Sequence, residues 1–203
     1  MKLYYSPGAC SMASRISLYE IGQPAEFVRT DIRAKRTEDG RDFREVNPLG
    51  YVPALELDGG EILTENEAVL PYIASLKPGT IAPEGDKLTE ARLHQALGFL
   101  GSELHKAFGP FFANPQGEAR EAARSKLQSR LDFVEQHLGD GREYWLGGKF
   151  SVADAYAFVV LSWADHFGIS YDDRPNIARY LERIGQRETV QRALRDEGLL
   201  QAA

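Results

Sequence analysis

Hydrophobic positions along the chain change their spacing near residue 77. Before that point the apolar segments are short, and a helical pattern separates the first two of them. We predict four strands in this part, at residues 3–6, 27–30, 54–57 and 61–63. The turn at Asp58 and Gly59 joins the last two as a hairpin. A strand, a helix, a strand, a hairpin and a further helix predict a small α/β domain.

After the change in spacing, apolar residues recur at the interval of an α-helix almost to the end of the chain. Ser151 and Asp154 fit a capping box, with Asp in place of Glu at the third helical position, at the start of the most apolar helix. We expect that helix to be buried on most sides. We predict five helices in this part, over residues 88–112, near 127–138, over 152–167, and after Pro175 and Arg187.

The segment between the two parts is predicted to be a linker, because residues 77–85 contain two prolines and two glycines. We therefore expect an α/β domain over residues 1–77, a linker over 78–87 and an all-helical domain over 88–203. The chain shows no internal repeat and no low-complexity tract.

Pro71 conflicts with the helix predicted around it. It lies inside a helical pattern over residues 66–76, where a proline beyond the first turn costs about 3 kcal/mol. The sequence leaves two alternatives open: the helix begins later, or it kinks at Pro71.

The composition restricts the kind of partner. The chain has 203 residues, 43% of them hydrophobic, and a formal net charge of -6, which argues against nucleic acid or an anionic membrane as a partner. One cysteine excludes an intrachain disulfide and indicates a reducing compartment. We see no signal-peptide pattern and no apolar stretch long enough to span a bilayer. We therefore expect a cytoplasmic protein.

Cys10 is the first candidate for chemistry. A short apolar strand runs into the turn at Pro7 and Gly8, and a helical pattern begins just after the cysteine. The partial positive charge of a helix N-terminus stabilises a thiolate, so we predict a pKa for Cys10 below the usual thiol value. The alternative, a small buried hydrophobic residue, stays open.

Val52 and Pro53 enter a predicted strand from a loop. If their peptide bond is cis, the Val52 backbone turns outward and can pair with an extended peptide. A trans proline at the start of a strand is the equal alternative.

Glu65 and Asn66 precede the next predicted helix. A helix N-terminus offers N–H groups to a carboxylate, while Glu65 can meet an amine. Plain helix capping is the alternative.

Histidines in the helical part have two readings. Ser102 and His105 follow helical spacing on the face opposite the leucine stripe. A lone helical histidine is usually a surface or packing residue, and we interpret His94 and His137 in this way. The same interpretation is open for His105 from its spacing alone. Trp163 and His166, near the end of the buried helix, line a cleft or pack in the core.

Together five segments resemble the cytosolic glutathione transferases, specifically the bacterial beta class, over essentially the whole chain. These segments are residues 4–11, 46–55, 64–65, 103–106 and 150–156. The resemblance implies a thioredoxin-like N-terminal domain followed by an all-α C-terminal domain. It also implies a homodimer that uses glutathione as co-substrate, with no tightly bound cofactor and no metal.

The resemblance implies the catalytic residues. Cys10 corresponds to the beta-class cysteine that forms a mixed disulfide with glutathione, and Tyr5 and Ser11 are its polar neighbours. His105, next to Lys106, corresponds to the histidine near the sulfur. Trp163 and His166 are the predicted substrate-pocket residues.

The resemblance also implies the glutathione contacts. Val52, before a cis Pro53, pairs with the cysteinyl unit, Glu65 and Asn66 meet the γ-glutamyl end, and Lys35 meets the glycyl end. Glu103 reaches the tripeptide of the partner subunit. The full predicted set is Ala9, Cys10, Lys35, Tyr51, Val52, Pro53, Glu65, Asn66, Ser102, Glu103, His105 and Lys106.

The implied function is conjugation of the glutathione thiolate to small hydrophobic electrophiles. Disulfide exchange or peroxide reduction through a Cys10–glutathione disulfide is a further implied activity, and a non-catalytic binding or regulatory protein is the alternative. Two departures from the family pattern leave the glutathione affinity open. Gly98 stands where asparagine is common, and Asn66 stands where serine or glycine is commoner.

Overall fold

A five-stranded sheet forms the first part of the chain in the computed structural model, which describes residues 1–200. The strand order is β3-β2-β1-β4-β5. The central strand pairs in parallel with β2 and antiparallel with β4, while β3 and β5 pair antiparallel at the two edges. The strands are β1 Lys2–Tyr5, β2 Glu26–Asp31, β3 Arg36–Thr37, β4 Ala54–Glu56 and β5 Ile62–Thr64.

Alternation along β1 explains why this sheet has two buried faces. Successive side chains of a strand point to opposite faces. Leu3 and Tyr5 belong to the main hydrophobic core, whereas Tyr4 packs with Val28 and Phe43 in a second cluster on the other side. The four predicted strands are therefore confirmed to within two residues, and only the two-residue strand β3 was not predicted.

Helices cover one face of the sheet and form the rest of the molecule. The α-helices are α1 Met12–Ile21, α2 Asn66–Ser75, α3 Lys87–Phe99, α4 Lys106–Phe108, α5 Gly117–His137, α6 Val152–His166, α7 Pro175–Gly185 and α8 Glu188–Asp196. A 3₁₀ turn over Phe43–Glu45 lies in the first part. The predicted sequence of a mixed α/β part followed by an all-helical part is confirmed.

Helix α6 joins the two parts of the molecule. It packs against α1 and α2 of the first part and against α3 and α7 of the second. Nearly all its residues are buried, as its apolar sequence predicts, and one core runs through both parts. The segment that was predicted to be a linker contacts the start of α6, because the Val152 N–H donates to the Ile81 carbonyl at 2.9 Å.

The long helix predicted over residues 88–112 is interrupted. After α3 the backbone widens into a π-helix over Leu100–His105, and a 3₁₀ turn over Gly109–Ala113 follows α4. Gly101 permits the close packing of α2 here, because a Cβ at this position would overlap with the Glu67 carboxylate. Single-turn π-helices often occur at functional sites, and this one carries His105.

Helix α2 runs continuously through Pro71. The alternative that the helix begins after the proline is therefore wrong. None of the helices within residues 1–200 is long and apolar enough to cross a membrane.

Candidate active site

The Cys10 thiol lies under the loop that precedes β4. Its side chain is 9% exposed, and Sγ donates to the Val52 carbonyl at 3.3 Å. Burial raises the pKa of Cys10 to about 12, and the nearby Glu65 carboxylate adds to the shift. The predicted lowering of this pKa is wrong, because burial of the thiol and the nearby Glu65 carboxylate outweigh the lowering by the Cys10 backbone and the Asn66 side chain.

Ser11 closes the turn before α1. Its hydroxyl is fully buried, accepts from the Ser6 N–H at 3.2 Å and lies 3.5 Å from the Ser6 carbonyl. The hydroxyl therefore holds the turn, and the role of Ser11 as a polar neighbour of the reacting sulfur stays a prediction. Ala9 belongs to the same turn, since its N–H donates to the Ser6 carbonyl at 3.0 Å.

Tyr5 is packed against a cation. The Arg15 guanidinium lies 4.1 Å from the centre of the Tyr5 ring and 3.9 Å from that of Phe27. Tyr5 shares the buried cluster of Cys10. The structure thus shows a packing contact between the Tyr5 ring and Arg15.

The loop before β4 brings backbone groups to the thiol. The Val52–Pro53 peptide bond is cis, which is one of the two alternatives that the sequence left open. Asn47 holds this loop, because its side-chain amide donates to the Tyr51 carbonyl at 2.8 Å and its oxygen accepts from the Leu49 N–H at 3.2 Å.

Lys35 lies beside the same loop. Its ammonium donates to the Gly50 carbonyl at 2.9 Å and lies 4.7 Å from the centre of the exposed Tyr51 ring. Gly50 has a φ of +64°, and a Cβ there would meet Lys35 Cδ at 2.6 Å. Only glycine lets Lys35 lie across the loop in this way.

Glu65 and Asn66 have opposite environments at the start of α2. Glu65 is exposed and has a φ of 66°, which is strained for a residue with a side chain, and such strain often marks binding sites. Asn66 is buried. Its amide donates to the Cys10 carbonyl at 3.2 Å, and its oxygen accepts from the Ser14 hydroxyl at 3.4 Å. The amide nitrogen has two N–H donors and the Cys10 carbonyl takes one, so the contact of Asn66 with a carboxylate stays a prediction.

His105 faces a tyrosine that the sequence analysis did not assign. Its Nδ1 lies 2.8 Å from the Tyr156 hydroxyl, and Tyr156 is only 2% exposed. Burial and the neighbouring Lys106 lower the pKa of His105 to about 4, so the imidazole is neutral at pH 7. Burial raises the pKa of Tyr156, and the charges of Cys10, Glu67 and Glu65 contribute. The thiol and this pair therefore belong to one site.

Aromatic rings line the site on the side of the helical part. Trp163 is buried, and its ring centre lies 4.8 Å from that of His105 and 5.2 Å from that of Phe112, whose side chain is 52% exposed. Phe167 joins Phe112 at 4.9 Å, and His166 is exposed beside Phe167 at the same distance. Trp163 and His166 thus lie at a partly open aromatic surface, of which Phe112 is the most exposed part.

Other predicted glutathione contacts on the π-helix have partners in this chain. The Ser102 hydroxyl donates to the Gly98 carbonyl of its own helix at 2.7 Å, and its contact with the tripeptide stays a prediction. Glu103 accepts from Arg130 at 2.7 Å, and Lys106 is exposed beside His105.

Gly8 is held from both sides by the helical part. Its N–H donates to Glu197 and its carbonyl accepts from the Trp163 indole, each at 2.8 Å. Glu197 also accepts from the buried Arg15 at 3.0 Å. Sequence patterns gave no signal for this clamp, because its members are far apart along the chain. Within residues 1–200, no three His, Cys, Asp or Glu side chains are grouped to hold a metal ion.

Comparisons with known proteins now identify the family. The family model described as "Glutathione S-transferase, N-terminal domain" matches residues 1–75, and the model for the corresponding C-terminal domain matches residues 117–183. Glutathione S-transferase GstA of Escherichia coli O157:H7 is 40% identical over 203 residues, which cover 98% of this chain and all of GstA. The chain belongs to the glutathione S-transferase family.

Solved structures agree with this assignment and confirm the predicted resemblance to the beta class. A bacterial beta class glutathione S-transferase of Sphingomonas chungbukensis superposes with a TM-score of 0.93 at 46% identity, covering 98% of this chain and 100% of that one. A sphingomonad glutathione S-transferase complexed with glutathione superposes with a TM-score of 0.92 at 46% identity and the same coverage. The glutathione transferase fold predicted from the sequence is confirmed.

Proposed function

We infer that this chain is a glutathione transferase that joins the glutathione thiolate to hydrophobic electrophiles. The main support for this inference is that three segments lie together: the turn at Cys10, the loop before β4 and the start of α2. The Cys10 thiol touches the Val52 carbonyl, Asn66 donates to the Cys10 carbonyl, and the strained Glu65 stands beside them. Family membership supplies the class of reaction, and these contacts support the place of the tripeptide.

We place the tripeptide along the edge formed by the loop before β4 and the start of α2. Glu65 is exposed and accepts the γ-glutamyl ammonium, while the first N–H groups of α2 face its carboxylate. The Val52 backbone pairs with the cysteinyl unit. Lys35, already at 2.9 Å from the Gly50 carbonyl, lies where the glycyl carboxylate ends.

The reaction needs a thiolate. A free thiol with a pKa of about 8.5 is only a few per cent ionised at neutral pH, so the site must stabilise the anion of the bound tripeptide. His105 is neutral and can donate one N–H to it. The thiolate then forms a bond to an electrophilic carbon, and the leaving group departs with the bonding electron pair.

The electrophile is small and hydrophobic in this proposal. Phe112, Trp163 and Phe167 form a partly exposed aromatic surface next to His105. Such a surface removes apolar area of a ligand from water and holds aromatic rings edge to face. Halogenated aromatics are therefore the first substrates to test.

Thiol–disulfide exchange through Cys10 is a second candidate activity. Cys10 is the single cysteine, and it lies next to the proposed path of the tripeptide. Its thiolate would attack a sulfur of glutathione disulfide, form the mixed disulfide and release one glutathione thiolate. The raised pKa of Cys10 predicts slow alkylation by iodoacetamide, with a midpoint above the model value of about 8.5. A midpoint below that value would show that the thiol is activated.

A homodimer is the assembly that we propose. Phe133 is exposed on α5 and packs tilted against Phe99 with ring centres 4.6 Å apart, which leaves an aromatic surface near the Glu103–Arg130 pair. In the dimer Glu103 lies near the tripeptide of the partner subunit. Sedimentation that shows only monomers at micromolar concentration would contradict this.

We also propose that the protein works in the cytoplasm. The support is the single cysteine, which needs a reducing compartment to remain a thiol. Fractionation of the native host, with the protein found outside the cytoplasmic fraction, would contradict the proposal.

Retention on immobilised glutathione separates the enzyme from a non-catalytic protein on the same fold. We expect retention, elution by free glutathione, and conjugation of a halogenated aromatic. Retention without any conjugation, disulfide exchange or peroxide reduction would favour the non-catalytic alternative. Cys10→Ala should remain bound to the resin and lose only the mixed disulfide seen by mass spectrometry.

A further inference from the structure

Tyr156 carries a buried hydroxyl that contacts His105 in the candidate active site. Its oxygen lies 2.8 Å from His105 Nδ1, and the two rings meet nearly at right angles with centres 6.1 Å apart. Tyr156 lies in the second turn of α6, and its side chain is almost completely buried. His105 is the nearest partner of this hydroxyl, and the Asn66 side chain, whose hydrogen bond lowers the pKa of Tyr156, also lies close to it.

The hydroxyl bears on which ring nitrogen of His105 carries the proton. A neutral imidazole has one nitrogen that donates and one that accepts, and a phenol hydroxyl donates its hydrogen to the acceptor in reach. Tyr156 keeps its proton at pH 7, because burial raises its pKa, and the pKa of His105 is lowered to about 4. A hydroxyl hydrogen directed at Nδ1 places the imidazole proton on Nε2, whereas an Nδ1–H group directed at the hydroxyl oxygen is the other arrangement of the pair.

Packing holds the same ring in place. The indole of Trp163 meets the imidazole edge to face at 4.8 Å, and the π-helix fixes the backbone of His105. Trp163 is itself anchored through its bond to the Gly8 carbonyl at 2.8 Å. The ring thus has a fixed plane, with Nδ1 engaged by Tyr156 and Nε2 on the other side of the ring.

We propose that Tyr156 is a positioning residue that holds His105 in the tautomer with its proton on Nε2, ready to donate to the glutathione sulfur. This rests on the proposed function, because it assumes that the sulfur lies near His105. Without the hydroxyl, Nδ1 has no donor, and the proton can move to that nitrogen. His105 would then present an acceptor to the thiolate, which is repulsive.

Tyr156→Phe tests the proposal, because it removes only the hydroxyl. In protein with ¹⁵N-labelled histidine, long-range proton–nitrogen couplings identify which ring nitrogen carries the proton. We expect the Nε2–H form in the native protein and a mixture or the Nδ1–H form in the variant. We expect kcat for a halogenated aromatic to fall about 10- to 100-fold, as for other residues that orient a reacting group, with little change in the KM for glutathione.

Tyr171→Phe is the matched control. Tyr171 is another largely buried tyrosine of the helical part, and its hydroxyl donates to the Leu161 carbonyl at 2.8 Å. Removing this hydroxyl should leave both the His105 tautomer and kcat unchanged. A fall in kcat of the same size in this control would overturn the proposal in favour of a general packing effect.

A double variant tests whether the Tyr156 hydroxyl acts through His105 or through general packing. His105→Gln keeps an amide donor near the place of Nε2 and needs no partner at Nδ1. Adding Tyr156→Phe to this variant should therefore change kcat little, whereas an equal loss in both backgrounds would overturn the proposal. Retention of the Nε2–H tautomer in Tyr156→Phe would also overturn it. The tautomer is measured without substrate, so an absence of transferase activity in the native protein would refute the proposed function separately.

Discussion

Helices α6 and α2 each begin beside an acidic side chain, and the two carboxylates differ in burial and in hydrogen bonding. At the start of α6, Asp154 is fully buried and accepts from the Ser151 N–H at 2.8 Å, the Trp145 N–H at 2.6 Å and the Tyr180 hydroxyl at 2.8 Å. At the start of α2, Glu65 is exposed, has a φ of 66° and makes no side-chain capping bond.

The difference shows how to tell a folding residue from a binding residue at a helix start. A buried carboxylate whose oxygens are all engaged by the protein stabilises the fold and has nothing left to offer a ligand. An exposed carboxylate on a strained backbone contributes nothing evident to stability, and it is held in place by the structure around it. Sequence patterns treat both as helix caps, whereas their hydrogen bonds separate them.

The largest expected effect is a loss of folding stability on substitution of Asp154. Asp154→Ala removes the acceptor of two backbone N–H groups and two buried hydroxyls, so we expect a loss of about 3–5 kcal/mol in the free energy of unfolding. Urea denaturation measures it. At a temperature where the variant is still folded, its affinity for glutathione should be unchanged. A loss below about 1 kcal/mol would mean that the burial of Asp154 does not stabilise α6.

The second largest expected effect is a loss of glutathione affinity on substitution of Glu65. Glu65→Ala should weaken glutathione binding by about 2–5 kcal/mol, because the ammonium of the ligand loses its partner. Titration calorimetry measures the affinity, and urea denaturation should show almost unchanged stability. Glu118→Ala is the matched control, since Glu118 is also exposed in the first turn of a helix, α5, but outside the site. Normal binding by Glu65→Ala would refute the placement of the tripeptide.

The third effect concerns His105, which contacts Tyr156 of α6 and so connects that helix to the candidate active site. The folded protein holds the pKa of His105 at about 4, below its usual value, so between pH 6.5 and 4 the unfolded chain binds more protons than the folded one. Stability should therefore fall as pH decreases through this range and should not depend on His105 above it. Compared with His105→Gln, we expect the native protein to lose about 1–2 kcal/mol more between pH 7 and 5.

An NMR titration of His105 provides the independent check. Its ring resonances should stay those of a neutral imidazole down to a pH near the expected pKa of about 4. A midpoint near the ordinary histidine value of about 6.5 would contradict the expected burial.

The smallest effect concerns the backbone of Glu65. Glu65→Gly removes the carboxylate and also the strain at a φ of 66°, so it should lose as much glutathione affinity as Glu65→Ala. Its stability should exceed that of Glu65→Ala by about 1 kcal/mol, since glycine adopts this conformation without strain. Equal stability of the two variants would show that the backbone at this position is not strained.

Local patterns in the sequence were enough for the elements and for part of the site. Short apolar segments and a hairpin turn placed the four longer strands, and Ser151 with Asp154 marked the start of α6. Helical spacing indicated the helices, although α5 begins at Gly117, well before the predicted stretch near 127–138. The cis bond before Pro53 was one of two open alternatives, and the structure contains it. The π-helix over Leu100–His105 was not predicted, because its apolar spacing differs too little from that of an α-helix.

By itself the sequence determined where the candidate groups stand along the chain, including Cys10 after its turn, Glu65 before α2 and His105 in a helix. Only the tertiary structure decided what each group faces. Cys10 meets a carbonyl 42 residues away, and His105 meets a hydroxyl 51 residues away. Burial and hydrogen-bond partners determine the pKa and the tautomer of such groups. Because segments far apart in the chain supply both, no local pattern contains them.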